Sequence, residues 1–379
     1  MFLAQIVISI VTVLLTFCYV SLVLFFRRGW MRLPVFSIPL QKPSTAVSVL
    51  IAARNEEQKL EKTIQDILNQ SYPKELLQVI VVDDHSTDRT AEIILSYASQ
   101  GVELIKLNED QPLNSYKKKA ISEAIKIAKG ELIVTTDADC RMGPQWLQSI
   151  VGSYETQQYK MISSPVVYFE EKSFFEELQT LEFLYLIGLG ASTIGNKMAS
   201  TCNGANLAYR KDVFLEVNGF QGIDDVASGD DELLLHKVAS LYPDGIGFCK
   251  LKEALVYTHA KPTLRDFIQQ RKRWASKSTK YKNKALVALG ISIWLFNVFI
   301  LVNLILGFIN PFYFMLAGIS LVPKLLVETF FLIPVCRFAD RPKLIWYQPL
   351  LTVIHILYFV YIGVAGNTGK YNWKGRMVK

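Results

Sequence analysis

The sequence predicts an α/β protein: a Rossmann-like, mostly parallel sheet flanked by helices, joined to transmembrane α-helices. Between residues 44 and 281, short β-branched runs alternate with stretches of helical period. Outside that region lie apolar segments of membrane length, one before it and three after it. A chain of 379 residues, 51% of them hydrophobic, with a mean hydropathy of +0.24, has room for one ordinary domain plus a membrane part.

The elements follow in order. From Phe2 to Phe26 no charged residue occurs, enough to cross a hydrocarbon core of roughly 30 Å at about 1.5 Å per residue. Arg27, Arg28 and Arg32 follow. No charged region precedes this segment and no clear small-residue cleavage site follows it, which favours an uncleaved anchor, residues 1–30, over a signal peptide. The positive-inside bias then puts the next domain, residues 44–281, in the cytoplasm, and an integral protein of the plasma membrane is expected.

Within that domain Val47 to Ala52 reads as a strand ending at Arg54-Asn55-Glu56-Glu57, followed by Leu60, Ile64, Ile67 and Leu68 at helical spacing. Val79 to Val82 is a second strand, ending at Asp83-Asp84-His85-Ser86-Thr87-Asp88, with Ala91, Ile94 and Leu95 marking a helix. Val102 to Leu107 is a third strand. Ala120, Ala124, Ile125 and Ala128 form a helical stripe closed by Gly130, and Glu131 to Thr136 is a fourth strand leading into Asp137 and Asp139. A βαβαβ series implies parallel strands whose ligands bind at the carboxyl ends, where these polar clusters fall.

Residues 285–366 hold two to three membrane helices, about Ala285 to Ile309, Pro311 to Val335 and Leu344 to Ala365. The second carries Lys324 and Glu328 on one helical face; a structural pair, an interfacial helix and a functional relay all fit. With all three spanning, the basic tail, residues 367–379, lies outside, whereas Lys370, Lys374, Arg376 and Lys379 argue for inside.

Formal net charge is +7, concentrated near the apolar segments. Between Lys261 and Lys284 nine basic residues face one acid, Asp266, the pattern of a helix on an anionic membrane surface. Nucleic acid is excluded as a partner, since no basic helix alternates with aromatic residues away from the membrane. Five dispersed cysteines without a CxxC pair point to reduced, mostly buried thiols, and the four histidines lack metal-ligand spacing.

Five clusters carry chemistry. Asp137 and Asp139 leave a strand on one turn and suit a hard cation bridging a diphosphate; turn-forming aspartates are the plainer reading. Asp83 and Asp84 suit a nucleotide base and ribose, with Asp88 as a helix cap. Lys117-Lys118-Lys119 precedes a helix, where it either meets phosphate or forms a solvated charge run. Asp230 and Asp231 sit side by side at a helix entry, where repulsion raises one pKa and fits it to accept a proton from a hydroxyl; helix capping is the plainer reading, above all for Asp230. In Gln270-Arg271-Lys272-Arg273-Trp274, an inward face of Gln270, Arg273 and Trp274 would neutralise a departing diphosphate and wall a sugar ring.

With those residues in order, the chain resembles the family-2 inverting glycosyltransferases of GT-A fold, in the membrane-integrated branch of hyaluronan, cellulose and poly-N-acetylglucosamine synthases. The resemblance runs from about Val47 to Trp274. It implies a nucleotide-sugar donor, with UDP the expected nucleotide, packed near Ala53, Arg54, Asn55, Glu56, Asp83 and Asp84. The diphosphate would meet Lys117, Lys118, Arg273 and Mg²⁺ or Mn²⁺ on Asp137 and Asp139. Asp231 matches the general base, and Asn203 and Gly204, in Thr201 to Asn206, match an acceptor loop bordered by Trp274.

Two departures stand out. Gly229-Asp230 replaces the usual Thr-Glu, and the processive synthases have more membrane helices; a gating loop has its only candidate at Lys370 to Arg376. Single transfer to a lipid, lipid-linked or glycan acceptor is therefore expected ahead of polymer synthesis. A catalytically inactive nucleotide-binding scaffold is the competing class, opposed by the full set of carboxylates.

Overall fold

The computed structural model describes residues 2–35, 37–38, 42–109, 113–366, 371–373 and 376–378. Lys370, Lys374 and Gly375 of the gating-loop candidate, and Lys379, lie outside the described residues. Contacts divide the chain into two compact units: residues 32–170, 189–260 and 372–379, and residues 1–31, 171–188 and 261–371.

In chain order the elements are α1 (Phe2–Arg32), β1 (Val47–Ala53), α2 (Leu60–Leu68), β2 (Leu77–Asp83), α3 (Thr90–Ser96), β3 (Val102–Lys106), α4 (Tyr116–Ile127) and β4 (Leu132–Asp137). Next come β5 (Arg141–Met142), α5 (Trp146–Gln157), β6 (Met161–Ser163), β7 (Val166–Tyr168), α6 (Phe174–Gly195), β8 (Leu207–Arg210), α7 (Lys211–Glu216), α8 (Glu232–Leu241), β9 (Ile246–Phe248) and β10 (Val256–Thr258). The last are α9 (Leu264–Ser276), α10 (Lys284–Gly307), α11 (Phe312–Phe338), α12 (Gln348–Ala365), β11 (Tyr371–Trp373) and β12 (Arg376–Val378).

The first unit is built on a seven-stranded sheet of order β3-β2-β1-β4-β8-β6-β9. β8 runs antiparallel to β4 and β6, and the other pairings are parallel. β1 and β2 are almost wholly buried, which is why they read as continuous apolar runs. Of the expected stripes, Leu60, Ile64 and Ile67 on α2 are buried, joined by Thr63, while Leu68 is half-buried; Ala120, Ala124 and Ile125 on α4 are buried, joined by Ile121. On α3 Ile94 is buried, but Leu95, expected beside it, is exposed and Thr90 takes the inner position. A Cβ on Gly130 would come within 2.3 Å of the Ser48 backbone nitrogen, so the approach to β1 admits only glycine. A three-stranded sheet of order β5-β10-β7 completes the unit.

Register places the site. Ala53 pairs with Asp83 across β1 and β2, and Ala52 pairs with Asp137 across β1 and β4. The carboxyl ends of three parallel strands therefore form one row, and the order reverses between β1 and β4, where open α/β sheets bind ligands.

The second unit is helical. Among the described residues, four helices are long and apolar enough to cross a membrane: α1, α10, α11 and the continuous stretch Pro342–Ala365. Lys324 and Glu328 are 2.6 Å apart and buried; Glu328 also accepts from Tyr19 of α1 and from Gln348 of α12 at 3.2 Å. A buried pair hydrogen-bonded to two further helices favours the structural reading of those charges. All five cysteines are free, three of them buried.

Candidate active site

The loops after β1 and β2 are laced together. Asn55, held at a φ of 50°, donates its N–H to Ser86 Oγ at 3.0 Å and accepts from the Thr87 N–H at 2.9 Å. Arg54 Nη1 donates to the Asp84 carbonyl at 2.9 Å, and the Glu56 N–H to Thr90 Oγ1 at 2.8 Å. Asp88 accepts from Thr90 N–H and Oγ1 and from the Glu57 N–H, joining both loops to the start of α3. Burial opposes its ionisation, but these hydrogen bonds win and hold its pKa below the ordinary value. Asp83 and Asp84 are buried beneath these loops: Asp83 accepts from the Ser86 N–H at 3.1 Å, and Asp84 faces His85 at 2.9 Å. Asp84, expected at a ligand, thus lies among its neighbours' side chains.

At the end of β4, Asp137, Asp139 and Cys140 have ligand atoms within 4.8 Å of one another. The two carboxylates are partly exposed and the thiol is buried, with its pKa pushed well up by burial and by the two aspartates. Two hard oxygen donors on one turn fit Mg²⁺ or Mn²⁺. Lys59, from the loop before α2, reaches Asp139 at 3.7 Å.

The centre of the cluster is Lys117. Its Nζ lies 2.7 Å from Asp137 Oδ1 and 3.1 Å from Asp230 Oδ2, so one ammonium joins the two carboxylate pairs. Burial lowers its pKa, yet the charges of Asp137 and Asp230 outweigh that and raise it above the usual lysine value. Lys118, also expected at phosphate, does something else. It is buried and donates to the carbonyls of Ile223, Val226 and Ser228 at 2.6, 2.7 and 2.8 Å, committing its three donors to the loop before Asp230. Burial pushes its pKa down to about 8, only partly offset by Asp230 and Asp231.

The expected cap assignment is reversed. Asp231, not Asp230, is the N-cap of α8: it accepts from the Glu232 N–H at 2.6 Å, and its other oxygen accepts from the Gly204 N–H at 3.0 Å. The second bond ties Asp231 to the Thr201 to Asn206 loop, where Asn203 Oδ1 accepts from the Ala205 N–H at 2.9 Å. A Cβ on Gly204 would sit 3.1 Å from Asp230 Oδ2, 3.3 Å from Asp231 Cβ and 3.5 Å from Lys117 Nζ. Thr201 donates to Glu232 at 2.6 Å, a contact between distant residues with no sequence signal.

Asp83, Asp137, Lys117, Gly204, Asp230 and Asp231 thus share the unit that carries the strand row. Gln270, Arg273 and Trp274 belong to the other unit, on α9, and are half-buried there. The residues of α9 that are fully buried are Phe267 and Arg271.

Comparison with known proteins adds the following. The family described as Glycosyl transferase family 2 matches residues 48–217. The probable glycosyltransferase YdaM of Bacillus subtilis (strain 168) is 28% identical over 241 residues, 60% of this chain and 54% of YdaM. The beta-monoglucosyldiacylglycerol synthase of Nostoc sp. is 30% identical over 112 residues, 30% of this chain and 24% of the synthase. The chain thus spans about half the length of the first relative and about a quarter of the second. Among solved structures, the mannosyltransferase PcManGT from Pyrobaculum calidifontis in complex with GDP-Man and Mn²⁺ superposes with a TM-score of 0.55 at 18% identity, covering 93% of this chain and 99% of that one. The likeness establishes the fold, a GT-A-like α/β architecture.

Proposed function

We propose, from the match of residues 48–217 to the family described as Glycosyl transferase family 2, that the chain is a membrane-bound, inverting glycosyltransferase that moves one sugar from a nucleotide-sugar donor to a lipid, lipid-linked or glycan acceptor. The observation that carries this reading is the ammonium of Lys117, which joins the Asp137 side to the Asp230 side at the carboxyl row of a parallel sheet. Relatives named for glucosyl transfer to diacylglycerol support a lipid acceptor, and the membrane-length helices support transfer at the membrane surface. UDP is the expected nucleotide, and the catalytic unit is assigned to the cytoplasmic face of the plasma membrane.

In this reading the donor's base lies against Ala53 to Glu56 and Asp83, with Asp84 supporting the loop beneath. Mg²⁺ or Mn²⁺ held by Asp137 and Asp139 would offset the charge of the diphosphate. Lys117 faces the diphosphate, to which the family resemblance also assigns Arg273; Lys118 holds the loop that presents Asp230 and Asp231. Asp231 takes the proton of the acceptor hydroxyl, whose oxygen attacks the anomeric carbon opposite the diphosphate. The carbon–oxygen bond to phosphate breaks, its electron pair leaves with the nucleoside diphosphate, and configuration inverts. Asn203 and Gly204 border the acceptor, and the family resemblance assigns Gln270 and Trp274 to the same step.

The test incubates membranes carrying the protein with radiolabelled nucleotide sugars and Mn²⁺, beside membranes with Asp231→Asn. Label extracted into chloroform as a discrete lipid, absent with the variant, is the expected result. A high-mass polar product would instead establish polymer synthesis, and label transfer unaffected by Asp231→Asn would overturn the reading.

A further inference from the structure

Arg271 is buried inside a helix whose basic residues otherwise belong to a surface pattern. It is 2% exposed, and its guanidinium forks onto Glu182 of α6, with Nε 3.1 Å from Oε1 and Nη2 on Oε2. Nη1 donates to Gln270 Oε1 at 2.6 Å. The guanidinium carbon lies 4.2 Å from the Trp274 ring centroid and 4.5 Å from that of Phe267, and Trp274 also stacks with Phe183, with centroids 5.9 Å apart. One anchored side chain therefore touches two residues flanking it in sequence, Gln270 by a hydrogen bond and Trp274 by its face. A guanidinium held by a carboxylate fork is planar and fixed, and can orient an indole as a lysine ammonium does not.

We propose that Arg271, anchored by Glu182, is a positioning residue that fixes the orientation of Gln270 and Trp274, the two residues assigned to the acceptor. The acceptor role rests on the function proposed above; the positioning rests on the contacts alone. Arg271 acts through its two neighbours and does not itself meet substrate.

The test uses the full chain in detergent as wild type, Glu182→Gln, Arg271→Lys and the exchange Glu182→Arg with Arg271→Glu. Trp274 emission is read as the difference from the matching Trp274→Phe protein. Transfer is assayed with UDP-[¹⁴C]glucose and dioleoylglycerol in phosphatidylglycerol vesicles, and UDP–Mn²⁺ binding by calorimetry. Both single variants are expected to shift Trp274 emission, raise the acceptor KM and lower kcat at least about tenfold, with UDP affinity held within about threefold. The exchange restores an ion pair between α6 and α9 but leaves emission and rate unrecovered. Unchanged emission in Glu182→Gln, which preserves shape, would overturn the proposal even where Arg271→Lys does not fold. Full recovery of rate by the exchange would reduce the pair to helix docking and also overturn it. Failure of the wild type to bind UDP–Mn²⁺ or transfer sugar would count against the enzymatic reading, while emission still decides the positioning.

Discussion

Lys117→Met removes the ammonium that touches both carboxylate pairs. Two contacts, at 2.7 and 3.1 Å, would be worth about 6 and about 5 kcal/mol gross at an effective dielectric near 20. Most of that is offset, because the Lys117 side chain is only 20% exposed and has been desolvated, while Asp137, 40% exposed, is screened by water. A net loss of about 2 kcal/mol remains, or about 30-fold faster hydrogen exchange if the site opens locally. Because the folded pKa of Lys117 is raised, its stabilisation is complete below the unfolded value of 10.5 and fades only as pH passes the raised value. The assay follows amide exchange in peptides covering residues 132–140 and 200–206 at pH 7, in EDTA and then in Mn²⁺. In EDTA the variant exchanges about 30-fold faster. Mn²⁺ at about a hundred times its dissociation constant adds about 2.7 kcal/mol of protection and returns the variant to or beyond the wild type, which gains less because its ammonium competes for Asp137. Equal exchange of the two proteins in EDTA, or an identical Mn²⁺ increment in both, would refute the assignment of Lys117 as the link.

Three more outcomes are expected. Asp231→Asn lowers transfer by about 10²–10⁴-fold while UDP–Mn²⁺ affinity, read by calorimetry, stays within about twofold; asparagine still caps α8, so stability changes by under about 1 kcal/mol. Gly204→Ala forces shifts of a few tenths of an ångström on Asp230, Asp231 or Lys117, and kcat falls about tenfold with the urea midpoint nearly unchanged. Lys118→Met orphans three buried carbonyls and lowers the urea midpoint at pH 7 without changing UDP affinity. The unfolded chain keeps the Lys118 proton up to 10.5 and the folded chain only to about 8, so between those values wild-type stability climbs relative to the variant, by up to about 3 kcal/mol. A flat difference across that window would refute the depressed value.

The parallel half of the sheet was legible because buried parallel strands need continuous β-branched runs, and each of β1, β2 and β4 stops at a polar cluster. The strands β5 to β10 are two to four residues long and carry no readable period, which hid the antiparallel insertion of β8 and the second sheet. Composition identified the carboxylates but not their division of labour: Asp230 and Asp231 are adjacent and alike, and only the path of the chain turns one toward Lys117 and the other onto the first N–H of α8. The pairing of Arg271 with Glu182 spans 89 residues, and no local rule joins them.

Lys117, Lys118 and Lys119 show how far periodicity could have gone. A helix turns about 100° per residue, so three identical neighbours face three directions. Lys117 precedes Ala120 by three and Ala124 by seven, which places it on the buried stripe at the end of α4 nearest the carboxyl row, and there it meets Asp137 and Asp230. Lys118 is one step round, beside Ile125, and its ammonium reaches backbone carbonyls. Lys119, a step further, is out at the surface with Glu123 at 2.8 Å. The same side chain is raised in pKa at the first position by two carboxylates and lowered at the second by burial among carbonyls. Phase relative to the alanine stripe, rather than the presence of a lysine triplet, is the property that separates the anion partner from the loop anchor.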